Sequence, residues 1–273
     1  MLMTLPSTCR LLGAAMFAAA VSSMAAGPSA AFEIAPHRAF YAMTLGSVRP
    51  SSGVVDARGA MMLEWSESCD GWENQQRIRL RIGSMQSQDI DLDTSFTSSE
   101  SKDGLKYRFS SRTTRDGIVE EDLRGRAVLD GPGMGGEAIF TLPEERHVRL
   151  PAGAVFPTEH TLLLIDAARS GQKLLSRVVF DGATEDGPFE VNALLGTKAA
   201  ADAVPVVKPL ADQPFWRSRL AYFPIDARSP EPVWEISVSF QENGVARQFV
   251  LDYGDFTIDA ILEGIEALPK PNC

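Results

Sequence analysis

Cysteine is scarce in this chain, and the three present, Cys9, Cys69 and Cys273, lie far apart. That spacing excludes a C-x-x-C redox centre and a zinc site built on clustered thiolates. Histidine is equally sparse: His37, His147 and His160 form no H-E-x-x-H pair, which removes the zinc-hydrolase pattern. The chain also lacks a G-x-S-x-G elbow, so the nucleophile turn of α/β-hydrolases is missing. Aromatic residues make up 8%, too few for the two girdles of a lipid-facing barrel. Basic residues number 26 against 36 acidic ones, for a net charge of −10. Such a chain has no basic footprint for nucleic acid and none for electrostatic docking on anionic lipid. Beyond the first residues no apolar run approaches the ~18 residues of a spanning helix.

What is present begins with residues 1–31. Arg10 precedes the apolar run Leu11 to Val21, and small residues lead to Ser29-Ala30-Ala31. A positive start, a short apolar core and a small-residue exit describe a secretory signal peptide cut near Ala31. The expected mature chain, residues 32–273, reads as one domain, because no Ser/Gly-rich or Pro-rich linker and no repeat interrupts it. Loss of the leader takes Cys9 with it. Cys69 and Cys273 then remain as an even pair in an exported protein, which predicts a disulfide between them.

Strand signals dominate the rest. The alternating run Arg77 to Ile82 faces Asp89 to Asp93 across a polar turn. A tight pairing sets Arg81 opposite Asp89, Arg79 opposite Asp91 and Arg77 opposite Asp93. The other face then joins Leu80 to Ile90 and Ile78 to Leu92, leaving a solvated charge ladder outside. Nearer the C-terminus, Asn243-Gly244 predicts a type I′ hairpin and Gly254-Asp255 a type II′ turn. Together they align Trp234, Ile236 and Val238 with Tyr253, Leu251 and Phe249, and these with Phe256, Ile258 and Ala260. Asp116-Gly117 marks a third hairpin. Further strands are expected at 40–47, 54–68, 172–181, 189–196 and 216–223. One helix is plain, from Thr158 to about Ser170, with Thr158 as its cap and Gly171 as its stop.

The expected fold is mainly β: a single antiparallel meander curled into a spiral-like or open barrel, with one or two helices. Curled sheets of this size either fill with side chains or hold a ligand. Met61, with its neighbour Met62, and Trp65, Trp216, Trp234, Phe240 and Phe249 are the candidates to line such a space. Methionine-rich linings adapt to apolar partners of varied shape. The same side chains serve equally well as a dry core, and both readings stay open.

Asp252, Asp255 and Asp259 are too thinly spaced for a known calcium loop. Glu67, Asp70 and the run Glu120-Glu121-Asp122 read as surface carboxylates. No residue is therefore assigned to catalysis or to a metal, and no cofactor is expected. The remaining enzymatic alternative is a hydrolase with His147 or His160 as base.

Several segments resemble one family. His37-Arg38-Ala39-Phe40-Tyr41, Asp56-Ala57-Arg58-Gly59, Glu64-Trp65 and Glu67-Ser68-Cys69-Asp70-Gly71-Trp72 are similar to the N-terminal block of the envelope-integrity protein B family. Phe156-Pro157-Thr158-Glu159-His160-Thr161, Val179-Phe180-Asp181-Gly182 and the closing Leu268-Pro269-x-Pro271-x-Cys273 fit its later blocks. The resemblance spans essentially the whole mature chain, and the Cys69 block and Cys273 are its most specific parts. It implies a periplasmic protein of Gram-negative bacteria needed for envelope integrity, folded as a spiral-like β-barrel with a Cys69–Cys273 bridge. That spiral is similar to lipoprotein-carrier folds that shield an acyl chain, a likeness of fold that does not fix function.

The expectation is thus a non-enzymatic periplasmic protein supporting the envelope, with its curled sheet offered to a lipid, another apolar ligand or a protein segment. The alternative is a scaffold with a packed interior whose outer face meets a periplasmic protein partner.

Overall fold

The alternating pattern folds into one 15-stranded sheet. A computed structural model describes residues 34–50, 52–85, 88–201, 208, 210–225 and 230–273. The expected leader, residues 1–31, lies outside the described residues. In chain order the elements are β1 (His37–Val48), β2 (Val54–Glu67), β3 (Gly71–Ser84), β4 (Ile90–Ser101), β5 (Lys106–Arg115), β6 (Ile118–Leu129), β7 (Gly136–Leu142) and β8 (Arg146–Leu150). They continue with β9 (Ala154–Val155), α1 (Pro157–Arg169), β10 (Leu174–Val179), β11 (Phe189–Leu195), β12 (Phe215–Pro224), β13 (Trp234–Gln241), β14 (Ala246–Asp252) and β15 (Phe256–Ala267).

Closure follows from the strand order. β1 pairs with both β2 and β15, so the first and last strands sit mid-sheet and the edges are β8 and β9. Those edges are consecutive in the chain, joined by Pro151-Ala152-Gly153. A link that short reaches roughly 14 Å at full stretch. The sheet must therefore curl until its edges meet, giving a nearly closed barrel. Apolar side chains line the inner face of the sheet, as with Tyr41, Met43, Leu80 and Ile258. The outer face carries ion pairs, which is the reverse of a lipid-facing barrel.

The charge ladder forms, with its register moved by two residues. Arg81 faces Asp91 and Arg79 faces Asp93, while Leu80 meets Leu92 and Ile82 meets Ile90. Because the shift is even, every side chain keeps its expected face. Arg81 holds Asp91 through two 2.7 Å bonds, and Asp93 accepts from both Arg77 and Arg79. These pairs are solvent-exposed, so Arg81→Ala is expected to move the melting temperature by less than about 3 °C in a thermal scan.

The turns differ from one another in kind. Asp116 and Gly117 both have positive φ, 52° and 80°, as a type I′ turn demands. At Asn243-Gly244 only the glycine does, at 82°. The Gly244 N–H donates to the Gln241 carbonyl, and the ladder slips between Ser239 and Phe240. The expected two-residue I′ hairpin is thus a three-residue turn with a bulge. Its consequence is small, since Val238 still meets Phe249, Ile236 meets Leu251, and Leu251 meets Ile258.

α1 lies inside the curl. Leu164, Ile165, Ala167 and Ala168 pack with Leu175, Val191, Trp216 and Phe240 of the β10–β14 wall. Leu162 turns to a different group, Ile34, Trp65 and Trp72. Each large apolar side chain so buried contributes about 1.5–3 kcal/mol. Gly171 ends the helix with φ 76°, as expected, but Thr158 is not its cap. The residue before the first turn is Phe156, which supplies no side-chain bond. The cap comes instead from Glu100 on β4, whose carboxylate accepts the N–H groups of Thr158 at 2.7 Å and Glu159 at 2.9 Å. Cys69, between β2 and β3, is bonded to Cys273 across 204 residues, with the Cα atoms 5.8 Å apart.

Candidate functional site: the interior of the curled sheet

Strand parity places all six expected lining residues on the inner face, though not at one point. Trp216 and Phe240 are cross-strand partners whose rings stack 5.9 Å apart beneath α1. Trp234 continues that face at the far end of β13, half-buried and 4.8 Å from the Tyr222 ring. Phe249 is the link between walls. It packs against both the β10–β14 core and the β1–β3 core, and meets Tyr41 edge to face at 5.4 Å. Met61 belongs to the β1–β3 wall. Trp65 stands apart with Ile34, Trp72 and Leu162 at the helix. Met62, one residue out of phase with Met61, falls on the outer face.

The two halves of the interior are filled unequally. On the β10–β13 side the helix covers the sheet, and Val191, Leu195 and Trp216 are buried. On the opposite side Leu63, Ile78, Leu92, Phe96, Phe249 and Leu251 point inward yet are only half-buried. Leu210 and Ala211 pack against this core, but among the described residues no helix is laid over it as α1 is laid over β10–β13. Residues that were not anticipated add a polar stripe to this wall. Gln76 donates to the Met61 sulfur at 3.2 Å, and Thr94 and Thr113 share a hydroxyl contact at 3.2 Å. The alternation in β3–β5 contained that stripe, because every second residue there faces inward. The resulting wall is amphiphilic: apolar on β1–β2 and β14–β15, and on β3–β5 a mixture in which Gln76, Thr94 and Thr113 alternate with Ile78, Leu92 and Phe96.

Polar groups gather at the helix N-terminus. Burial pushes the Glu100 carboxyl up to about 7, against the two backbone N–H groups that favour its charged form. His160, one turn into α1, is pushed down to about 4, by burial first and then by the Arg177 charge. Burial also lowers His37, whose Nδ1 lies 2.7 Å from the Ala35 carbonyl. The Nε2 atoms of His37 and His160 and the Trp65 indole N–H are buried without a partner among the described residues. His37 and Trp65 are direct cross-strand neighbours.

The histidines do not form catalytic couples. His147 is exposed, 3.1 Å from Glu137 and 3.4 Å from Glu145, and both carboxylates raise its pKa. Among the described residues, neither His147 nor His160 is hydrogen-bonded to a serine, threonine or cysteine side chain. Asp252 is engaged in its own turn through the Gly254 N–H. No three His, Cys, Asp or Glu side chains among the described residues converge as an ion site. No helix there is long and apolar enough to cross a membrane.

Comparison with known proteins places this geometry. A family model described as EipB-like matches residues 28–269. The cell envelope integrity protein EipB of Brucella abortus (strain 2308) is 29% identical over 253 residues, covering 90% of this chain and 89% of that protein. The crystal structure of a beta-barrel-like protein of domain of unknown function DUF1849 from Brucella abortus is also similar. It aligns with a TM-score of 0.81 at 27% identity, covering 88% of this chain and all of that one.

Proposed function

The chain belongs to the EipB-like family, and from that premise we propose that it is a non-enzymatic periplasmic protein that supports envelope integrity by holding an amphiphilic, largely apolar ligand inside its curled sheet. The envelope role rests on the name of the Brucella abortus relative. The periplasmic setting is supported by the Cys69–Cys273 bridge, which belongs in an oxidising compartment. Ligand binding rests on one observation: an inward apolar wall that stays half-exposed where the helix does not reach. In a fully packed domain of this size such side chains would be buried. A lipid with its acyl part on Phe249 and Leu251 and its polar part toward Gln76 and Thr94 suits both stripes. The rival scaffold reading draws on α1, which shows that this fold can fill its own interior.

Native mass spectrometry of the protein from its own periplasm, followed by organic extraction, separates the two. A reproducible bound acyl species is expected. Titration with cis-parinaric acid should saturate, and Ile78→Arg should abolish that saturation while leaving the melting curve cooperative. A clean protein mass together with no saturable fluorescence would remove the carrier reading and leave the scaffold.

A further inference from the structure

On the outer face, strands β1–β6 satisfy their arginines with consistency. Every arginine on these strands other than Arg108, Arg124 and Arg126 reaches a carboxylate. Those three are exposed and, among the described residues, make no ion pair and no side-chain hydrogen bond. They are also neighbours. Arg108 on β5 is the direct cross-strand partner of Arg126 on β6, and Arg124 follows two residues along, opposite Ser110. Like charges set directly opposite weaken a sheet. One step further the same two strands place Arg112 opposite Asp122, bonded at 2.6 Å. The unpaired triad therefore stands out against its own ladder, in a chain whose net charge is −10.

The triad forms one wall of a groove of about 700 Å³ running across β2–β7. Its floor is neutral and hydrogen-bonding, with Gln75, Thr97, Ser99 and Ser110. Its far wall holds Glu73 and Glu64, the latter held by Arg38 at 2.6 Å. Glu73 lies two strands from Arg108, with Ser99 between them, and the two make no ion pair.

We propose that this groove binds a phosphoryl group carried on a hydroxylated molecule, through Arg108, Arg124 and Arg126. Guanidinium forks present parallel donors matched to phosphate oxygens, and three of them suit a group with three free oxygens better than a carboxylate with two. The groove is much larger than a phosphate, and its remaining surface is mixed, with hydroxyls at Thr97, Ser99 and Ser110 and amides at Asn74 and Gln75 set among apolar carbon. A sugar or polyol attached to the phosphoryl group fits that surface. The site is on the opposite face of the sheet from the interior, and stands whether or not the interior holds a ligand.

The test is calorimetric titration of the whole mature protein with glucose 1-phosphate, with glucose as the neutral control. Saturable binding of the phosphate ester alone is expected. Arg126→Gln should weaken it about tenfold or more, the worth of a lost charge-assisted bond, whereas the paired Arg112→Gln should change it less than about twofold. Sedimentation with phosphatidylcholine vesicles containing phosphatidylglycerol separates the sources. Arg126-dependent co-sedimentation assigns the phosphoryl group to a lipid headgroup, and binding of the soluble ester alone assigns it to a free phosphorylated sugar. Equal loss in both variants would mean that only net charge matters and would overturn the site. So would the absence of binding to either probe.

Discussion

Replacing Cys69 and Cys273 together by serine is expected to lower the unfolding free energy by about 5 kcal/mol, the chain-entropy value for a closed loop of this length. The bridge spans 204 residues, nearly every strand of the sheet. Without it the unfolded chain regains the freedom of both ends. The folded state loses a clasp between the tail after β15 and the turn that starts β3, where Trp72 packs with Ile34 and Trp65. A loss of that size corresponds to roughly 10–20 °C in melting temperature for a domain of this length. Urea unfolding of the double variant, beside wild type with and without reductant, provides the check. Reductant should shift the wild type to the variant and leave the variant unchanged. A difference below about 1 kcal/mol would show that the bridge only trims a fraying end.

The sequence was most legible where the physics is local. Alternation in Arg77–Ile82 and Ile90–Asp93 determined which side chains face water, and the ladder stayed on its expected face despite a two-residue move. Absolute register was beyond reach, since an even slip preserves the pattern and the charges on the outer face bond equally well one step along. Asp116-Gly117 and Asn243-Gly244 look alike as dipeptides, yet only the first adopts two positive φ values. What does hold Gly244 to glycine is tertiary, for a Cβ there would sit 2.9 Å from Ile34. The candidate lining residues, Met61 and five aromatics, were legible as inward-facing, but their division between a helix-filled half and an open half was not. That division depends on α1 folding back into the curl, which no local pattern encodes. Glu100 was missed for the same reason: it reaches the helix from 58 residues away, in a strand that otherwise reads as polar.

That carboxylate and His160 make the second large prediction, a pH profile that looks flat until one partner is removed. Glu100 is raised from 4.5 to about 7 in the fold. Between those values the folded protein keeps a proton that the unfolded chain has lost. Its contribution is therefore complete below the unfolded value and disappears as pH rises through 7. His160 is lowered from 6.5 to about 4. There the unfolded chain binds the proton that the fold refuses, so the contribution is complete above 6.5 and disappears as pH falls through 4. Each shift corresponds to about 3 kcal/mol, and the slopes oppose one another across the shared window. Wild-type stability is expected to vary little from these two groups within it. In His160→Leu the Glu100 slope stands alone, and stability should fall by about 3 kcal/mol as pH rises from 4.5 to 7. In Glu100→Gln the His160 slope stands alone, and stability should fall by a similar amount as pH drops from 6.5 to 4. Differences between each variant and wild type, from urea titrations at matched pH, cancel the contributions of groups that the substitution does not touch. Two variants with the wild-type profile would show that neither group is held in the protonation state that its burial beside α1 demands.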